Sequence, residues 1–167
     1  MSMITGAAGR SPFHDYLAEL AQGHEDLILE LPQSWVVLGQ EQFHRGYSKL
    51  IFKHYVTELH HIPPGARAGF FNEITLVGEA VQNATGAEKI NIELLGNQVD
   101  HLHVHVFPRF RDEDPALRKL PVWNYAAGAR NVSLTKFEKM QLTAAVRGEI
   151  IAVMDKYGLR PPERGGQ

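Results

Sequence analysis

The chain has 167 residues, 44% apolar and 22% charged, with a net charge of −2. This is about the length of one domain with an ordinary globular balance, which argues against disorder and gives no reason to expect a nucleic-acid partner. The sequence has no cysteine, which excludes disulfides, a thiol nucleophile and cysteine-based zinc sites. It has no long apolar run and no segment typical of a secretory signal, so we expect a cytoplasmic protein without a membrane partner.

Three helices are predicted. Ser11-Pro12 begins a short helix that ends near Ala21. A long helix begins at Pro63 and ends at Gly86, with an apolar stripe at Phe70, Ile74, Val77 and Val81. Ser133 is the predicted cap of the last helix, which carries Phe137, Met140, Ala144, Ile151 and Met154 along one face.

Five short segments have the composition and alternation typical of strands, at residues 27–31, 35–38, 47–52, 90–95 and 101–107. Pro108 is expected to end the last of them. Three strands come first, then a long helix, then a strand pair. This order predicts an α+β fold, with about five antiparallel strands and two main helices.

The segment at 108–132 lacks regular periodicity, and an irregular loop of this length is often functional. Two of its residues have alternative interpretations. Arg109 is predicted either to steer an anionic substrate or to pair with Asp112. Trp123 is predicted either to line a pocket or to anchor the loop by packing.

Three histidines, His101, His103 and His105, recur at alternate positions of the last predicted strand. Because side chains alternate along a strand, the three imidazoles should share one face, while Leu102 and Val104 enter the core from the other. Such a row is able to ligate a metal or to attack phosphorus as a nucleophile. It also fits the solvent-facing side of a half-buried strand. The residues alone leave the three interpretations open.

The turn before the histidines contains Gly96, Asn97 and Gln98. Its backbone N–H groups and two side-chain amides can hold anionic oxygens, although the same residues also suit a simple hairpin turn. Its position directly before three histidines favours a phosphate site.

The segment His101-Leu102-His103-Val104-His105-Val106-Phe107 matches every position of the signature His-φ-His-φ-His-φ-φ, in which φ is apolar. The sequence therefore resembles the histidine-triad (HIT) superfamily of nucleotide hydrolases and transferases. Residues 46–54 are similar to the family's glycine-led strand, and residues 89–97 resemble a bacterial subgroup similar to diadenosine-tetraphosphate hydrolases. The resemblance is good over 27–110 and weak in the C-terminal third.

The resemblance implies a HIT-like α+β fold whose sheet continues across a homodimer. It implies one domain over 11–158, with its core at 27–110 and a C-terminal loop and helix at 111–158. Residues 1–10 would then be a flexible lead-in, and residues 159–167 a mobile tail.

For the site, the resemblance implies that His103 attacks the α-phosphate of a nucleotide and forms a transient nucleotidyl-histidine. His105 would contact the phosphate or the leaving-group oxygen, and His101 would support the site by hydrogen bonding. Gly96, Asn97 and Gln98 would bind the phosphate.

Two further residues are implied as substrate contacts. Asn91 would contact ribose or phosphate. Gln40 would contact the ribose, because Gly39 stands where many members carry an acidic residue or asparagine.

His105 stands where transferase branches often carry glutamine, which favours hydrolysis of a dinucleoside polyphosphate or a phosphoramidate. The resemblance implies no required cofactor and leaves open a divalent cation that accompanies the substrate phosphates. Three alternatives stay open: a nucleotidyl transferase or phosphorylase, a nucleotide-binding protein with little turnover, and a metal-dependent enzyme that uses the histidines as ligands.

Overall fold

The computed structural model describes residues 10–126 and 132–160. Residues 1–9 of the predicted lead-in, residues 127–131 of the predicted loop and residues 161–167 of the predicted tail therefore lie outside the described residues.

A single antiparallel sheet of five strands organises the described chain, in the order β1-β2-β3-β5-β4. The strands are β1 (Leu27–Glu30), β2 (Ser34–Leu38), β3 (Ser48–Phe52), β4 (Lys89–Glu93) and β5 (His103–Arg109). The helices are α1 (His14–Ala21), α2 (Pro64–Thr85) and α3 (Lys136–Lys156), and a short 3-10 turn covers Leu59–His61. The predicted α+β class with an antiparallel sheet is confirmed.

The two faces of the sheet carry different layers. The main core contains α2, α3 and the inward side chains of the strands, among them Leu50, Val104 and Phe70. On the opposite face, α1 packs over Val37 and Ile51. The loops at 43–47 and 117–125 form a second small apolar cluster on that face, around Phe107. The histidines of β5 lie between these two clusters.

Helix α2 follows its sequence signals. It begins at Pro64, where the fixed φ of proline suits the first turn. It ends at Gly86, which adopts the left-handed conformation with φ 69° and donates its N–H to the Gln82 carbonyl. The predicted stripe from Phe70 to Val81 is buried, as expected.

The predicted bounds of the histidine strand are wrong at both ends. The strand begins at His103 and continues through Pro108 to Arg109. Pro108 pairs with Ile90 of β4, whereas the pairing with β3 ends at Val106. Because β3 no longer borders this end of β5, the missing N–H of proline costs no ladder hydrogen bond there.

The predicted cap of α3 is also wrong. Thr135, not Ser133, caps the helix in a reciprocal capping box with Glu138. Of the apolar residues predicted along one face, Met154 is buried, whereas Phe137, Met140, Ala144 and Ile151 are exposed. The helix carries two apolar stripes, and packing against α2 and β1 buries the stripe of Leu142, Val146, Ile150, Val153 and Met154.

Within residues 10–126 and 132–160, no helix combines the length and the apolar character needed to cross a bilayer.

Candidate active site

The three histidines form a buried row, which rules out the solvent-facing interpretation. His101, His103 and His105 are 1%, 7% and 8% exposed. His103 and His105 lie in β5, and the rings of these two are 4.8 Å apart between centroids. His101 lies just before the strand. Buried imidazoles need hydrogen-bond partners, and those partners determine which nitrogen carries the proton.

Both ring nitrogens of His101 are occupied. Its Nε2–H donates to the carbonyl oxygen of Phe52 at 2.7 Å. Its Nδ1 accepts from the Ser11 hydroxyl at 2.6 Å, and the Ser11 oxygen accepts in turn from the Phe13 N–H. With no nitrogen left for a ligand, His101 is a structural member of the row.

His103 has one protonated and one unprotonated ring nitrogen. Its Nδ1 lies 2.7 Å from the carbonyl oxygen of His101, which can only accept, so Nδ1 carries the proton. Nε2 of a neutral His103 is therefore an unprotonated nitrogen with a free lone pair. That is the form of imidazole that attacks phosphorus or binds a metal.

His105 is held in the other tautomer. The Tyr47 hydroxyl lies 2.7 Å from His105 Nδ1. Burial raises the pKa of the Tyr47 hydroxyl, so the hydroxyl keeps its proton. Among the described residues, His105 Nδ1 is the one acceptor within its reach, so the hydroxyl donates a hydrogen bond to Nδ1. Nε2 of His105 therefore carries the ring proton and can donate to a substrate oxygen.

The row is neutral near pH 7. Burial lowers the pKa of His101, His103 and His105 below the usual 6.5, and that of His105 to about 3. The nearby charge of Lys49 lowers the pKa of His103 and His105 further. A neutral His103 is available as a nucleophile over the whole physiological range.

His103 and His105 line a cavity of about 540 Å³, within the size range of small-molecule sites. The predicted phosphate loop lies at this cavity, with Gly96, Asn97 and Gln98 in its lining. Gly96 adopts φ 66°, which turns the chain out of β4 toward the histidines. The structure thus brings the loop and the histidines to one space.

Aromatic rings form the walls of this cavity. Phe13 stands 5.6 Å from the rings of both His101 and His103, and Trp123 stands 5.1 Å from His105 and from Phe43. The Trp123 indole N–H donates to the Glu93 carboxylate. Trp123 is therefore a packing anchor of its loop and a cavity wall at once.

Two polar side chains from neighbouring strands complete the lining. Lys49 of β3 is the register partner of His105 and shares its face of the sheet. Gln40 lines the cavity as well, and its amide donates to the buried Asp26 carboxylate at 3.0 Å. That bond uses the amide nitrogen and leaves the side-chain oxygen of Gln40 for a ligand.

Two of the predicted residues lie elsewhere. Asn91 does not line the histidine cavity, and its side-chain oxygen accepts from Arg109 at 2.7 Å. Arg109 is buried and pairs with Glu113, not with the predicted Asp112. It also donates to the Tyr125 hydroxyl and to three backbone carbonyls, which holds the loop after β5 in place. Arg109 has no donor left to steer a substrate.

In the described part of the chain, no three His, Asp or Glu side chains are arranged to hold a metal ion together. The hydrogen bonds explain this for the histidine row. His101 is saturated, and Nε2 of His105 carries a proton, so only His103 presents a lone pair. This arrangement favours nucleophilic chemistry over metal ligation.

Sequence reasoning missed several residues of this site, among them Ser11, Phe13, Tyr47 and Lys49. The alternation in 47–51 is enough to place Tyr47 and Lys49 on one face. Their position beside His105 depends on the register between two strands, and Tyr47 and His105 are 58 residues apart in sequence. No local pattern shows that α1 covers the histidines.

Comparisons with known proteins identify the family of this chain. The family model described as HIT domain matches residues 21–112, which is more than half of the chain. The chain therefore belongs to the HIT domain family, as its histidine signature predicted.

A curated relative is the adenylylsulfatase HINT3 of Arabidopsis thaliana, which is 23% identical over 130 residues. The match covers 75% of this chain and 62% of that protein, so the chain corresponds to less than two thirds of its relative.

Solved structures of histidine triad proteins share the fold. One from Sinorhizobium meliloti is 29% identical with a TM-score of 0.65, and the match covers 74% of this chain and 87% of that one. Another from Marinobacter aquaeolei is 20% identical with a TM-score of 0.68, covering 87% and 99%. The second likeness concerns the fold alone.

Proposed function

We propose that this protein is a nucleotide phosphohydrolase that cleaves at the α-phosphate of a nucleoside phosphate conjugate. The observation that carries the proposal is the pair of opposite tautomers in one cavity. His103 presents an unprotonated Nε2, and the neighbouring His105 presents an Nε2–H. A nucleophile and a hydrogen-bond donor stand side by side, which suits attack on a phosphorus whose oxygens gain charge.

In the first step, the lone pair of His103 Nε2 forms a bond to the α-phosphorus. The bond between phosphorus and the leaving group breaks, and its electron pair departs with the leaving group. The His103 ring becomes a nucleotidyl-imidazolium. Its Nδ1–H stays hydrogen-bonded to the His101 carbonyl oxygen. His105 Nε2–H and the amides of Asn97 and Gln98 stabilise the charge on the phosphoryl oxygens.

In the second step, the oxygen of a water molecule attacks the same phosphorus. The P–N bond breaks, and its electron pair returns to His103 Nε2. One water proton passes to solvent and the other stays on the new P–OH oxygen until that group ionises. The products are a nucleoside monophosphate and the neutral His103 with which the cycle began.

Substrate candidates come from the sequence and from the relatives. Similarity to the bacterial diadenosine-tetraphosphate-hydrolase-like subgroup supports dinucleoside polyphosphates. The similarity to an adenylylsulfatase supports adenylyl sulfate. Adenosine phosphoramidate completes the set. The three substrates share an adenylyl group and differ in what leaves the phosphorus, so together they test the proposed class.

The test is hydrolysis of these three substrates in water enriched in ¹⁸O, with and without a chelator. We expect adenosine monophosphate that carries one ¹⁸O on phosphorus, formed at a rate the chelator leaves unchanged, and no turnover by His103→Ala. Addition of inorganic phosphate should form no nucleoside diphosphate. Product formed by His103→Ala at the wild-type rate would overturn the proposed mechanism.

Three further expectations from the sequence stay predictions. They are a homodimer with a continuous sheet, a single domain over 11–158, and a cytoplasmic location. Asn91 is not carried into the proposed site, because its side chain is bonded to Arg109 outside the cavity.

A further inference from the structure

Lys49 is a charged residue of the cavity that the proposed hydrolysis does not use. It stands between Ser48 and Leu50 in β3, with Val37 and His105 as its partners on the two neighbouring strands, and it lines the cavity beside His103 and His105. A lysine buried among strands is costly unless it is paired or has a function.

The described part of the chain gives Lys49 no such partner. Within residues 10–126 and 132–160 its ammonium makes no ion pair and no hydrogen bond. The acidic groups around it are Asp26, which is bonded to Tyr16 and Gln40, and Glu41, which lies in the cavity lining. Burial lowers the pKa of Lys49 and the charge of Asp26 raises it again.

The neighbouring Lys53 provides a contrast on the same stretch of chain. Its ammonium is 2.6 Å from the Glu30 carboxylate and lies over the Trp35 ring, outside the histidine cavity. The ammonium of Lys53 therefore has its partners within the protein. The N–H donors of Lys49 are available to a ligand bound in the cavity.

A cation in the cavity affects the reaction most strongly through the charge of the leaving group. A sulfate or phosphate departs as an anion and needs no proton, so a nearby ammonium stabilises it as the bond breaks. An amine departs after it gains a proton, and an ammonium beside it opposes that protonation by like-charge repulsion.

We propose that Lys49 is a specificity-determining residue that selects acid-anhydride substrates, whose leaving group is an anion, over phosphoramidates, whose leaving group is an amine. This inference rests on the proposed function, because it names the substrate class of the same site. In the first step the electron pair of the P–O bond leaves with the anionic oxygen, and Lys49 stabilises that oxygen by a charge-assisted hydrogen bond.

The test compares kcat/KM for adenylyl sulfate and for adenosine phosphoramidate. We expect the wild type to prefer adenylyl sulfate. Loss of a charge-assisted bond by Lys49→Met should lower the ratio of the two values ~10-fold or more, because the anionic leaving group is bound more weakly in the ground state and is released more slowly. Lys49→Arg should keep most of the preference. The matched control is Lys53→Met, which should leave the ratio unchanged. An unchanged ratio in Lys49→Met would overturn the inference.

Equilibrium binding separates this inference from the proposed function. The Kd of each compound is measured by calorimetry in His103→Ala, with and without Lys49→Met. Selective weakening of adenylyl sulfate binding by Lys49→Met supports the inference, even if the wild type turns over neither compound and the proposed function fails. Equal weakening of both compounds, or none, counts against the inference while leaving hydrolysis intact.

Discussion

Tyr47→Phe tests the origin of the two tautomers with a change of one oxygen atom. The Tyr47 ring is buried and stacks on Phe107 with centroids 4.4 Å apart, a contact that phenylalanine keeps. The hydroxyl that donates to His105 Nδ1 is lost. A buried Nδ1 without a partner costs about 1–3 kcal/mol of folding free energy.

The same change affects catalysis through His105. Without the Tyr47 proton, the ring is free to carry its hydrogen on Nδ1, and the donor that faces the substrate is then lost. Removal of one donor at a site of developing charge costs roughly 10²- to 10³-fold in rate. Because both tautomers are then populated, we expect a smaller loss in kcat, about 10- to 100-fold.

Steady-state kinetics and urea unfolding measure the two effects. Tyr125→Phe is the matched control. Tyr125 is also a buried tyrosine, and its hydroxyl bonds to Glu113 and Arg109, not to a histidine of the row at 101–105. The control should lose stability and keep its kcat. Wild-type kcat in Tyr47→Phe, or an equal loss in both variants, would refute the role given to the hydroxyl.

Three other predictions follow from the contacts described above. Because burial lowers the pKa of His103, kcat/KM should hold its plateau as the pH falls through 6.5 and decline only in more acid solution. The free energy of unfolding should fall as the pH drops from 6.5 toward the lower folded-state pKa values of the histidines, since the unfolded chain takes up protons in that window that the folded chain does not; an activity limb centred at or above pH 6.5, or a free energy of unfolding that is unchanged below pH 6.5, would contradict these expectations. Arg109→Ala leaves the buried Glu113 carboxylate without its partner and should cost about 3–5 kcal/mol in urea unfolding, and a cost below about 1 kcal/mol would be incompatible with this clamp. Gly39→Ala places a Cβ 2.3 Å from Cδ1 of Tyr47, so it should lower both the melting temperature and kcat, and an unaltered kcat would show that the ring does not need its present position.

The sequence predicts the parts of this protein that local periodicity determines. The α2 stripe from Phe70 to Val81 repeats at helical spacing, and the histidines repeat at strand spacing, so both faces are predicted correctly. The loop at 96–98 is next to the histidines in the chain, and its place at the cavity follows from that proximity.

The missed features depend on contacts between distant segments. Ser11 reaches His101 because α1 folds across the sheet, and no residue near Ser11 indicates this. The apolar residues of α3 form two stripes, and only the packing of α2 and β1 determines that the stripe with Val146 is buried. Lys49 lies beside His105 because of the register between β3 and β5, and that register cannot be predicted from composition alone.

The central claim is that His103 forms a covalent bond to the substrate phosphorus. Intact-protein mass spectrometry after brief reaction with diadenosine tetraphosphate or adenylyl sulfate, quenched in parallel at neutral and acid pH, tests it most directly. We predict an adenylyl adduct that is lost in acid, present with chelator and absent from His103→Ala. Turnover without any adduct, or an adduct that persists in His103→Ala, would contradict the claim.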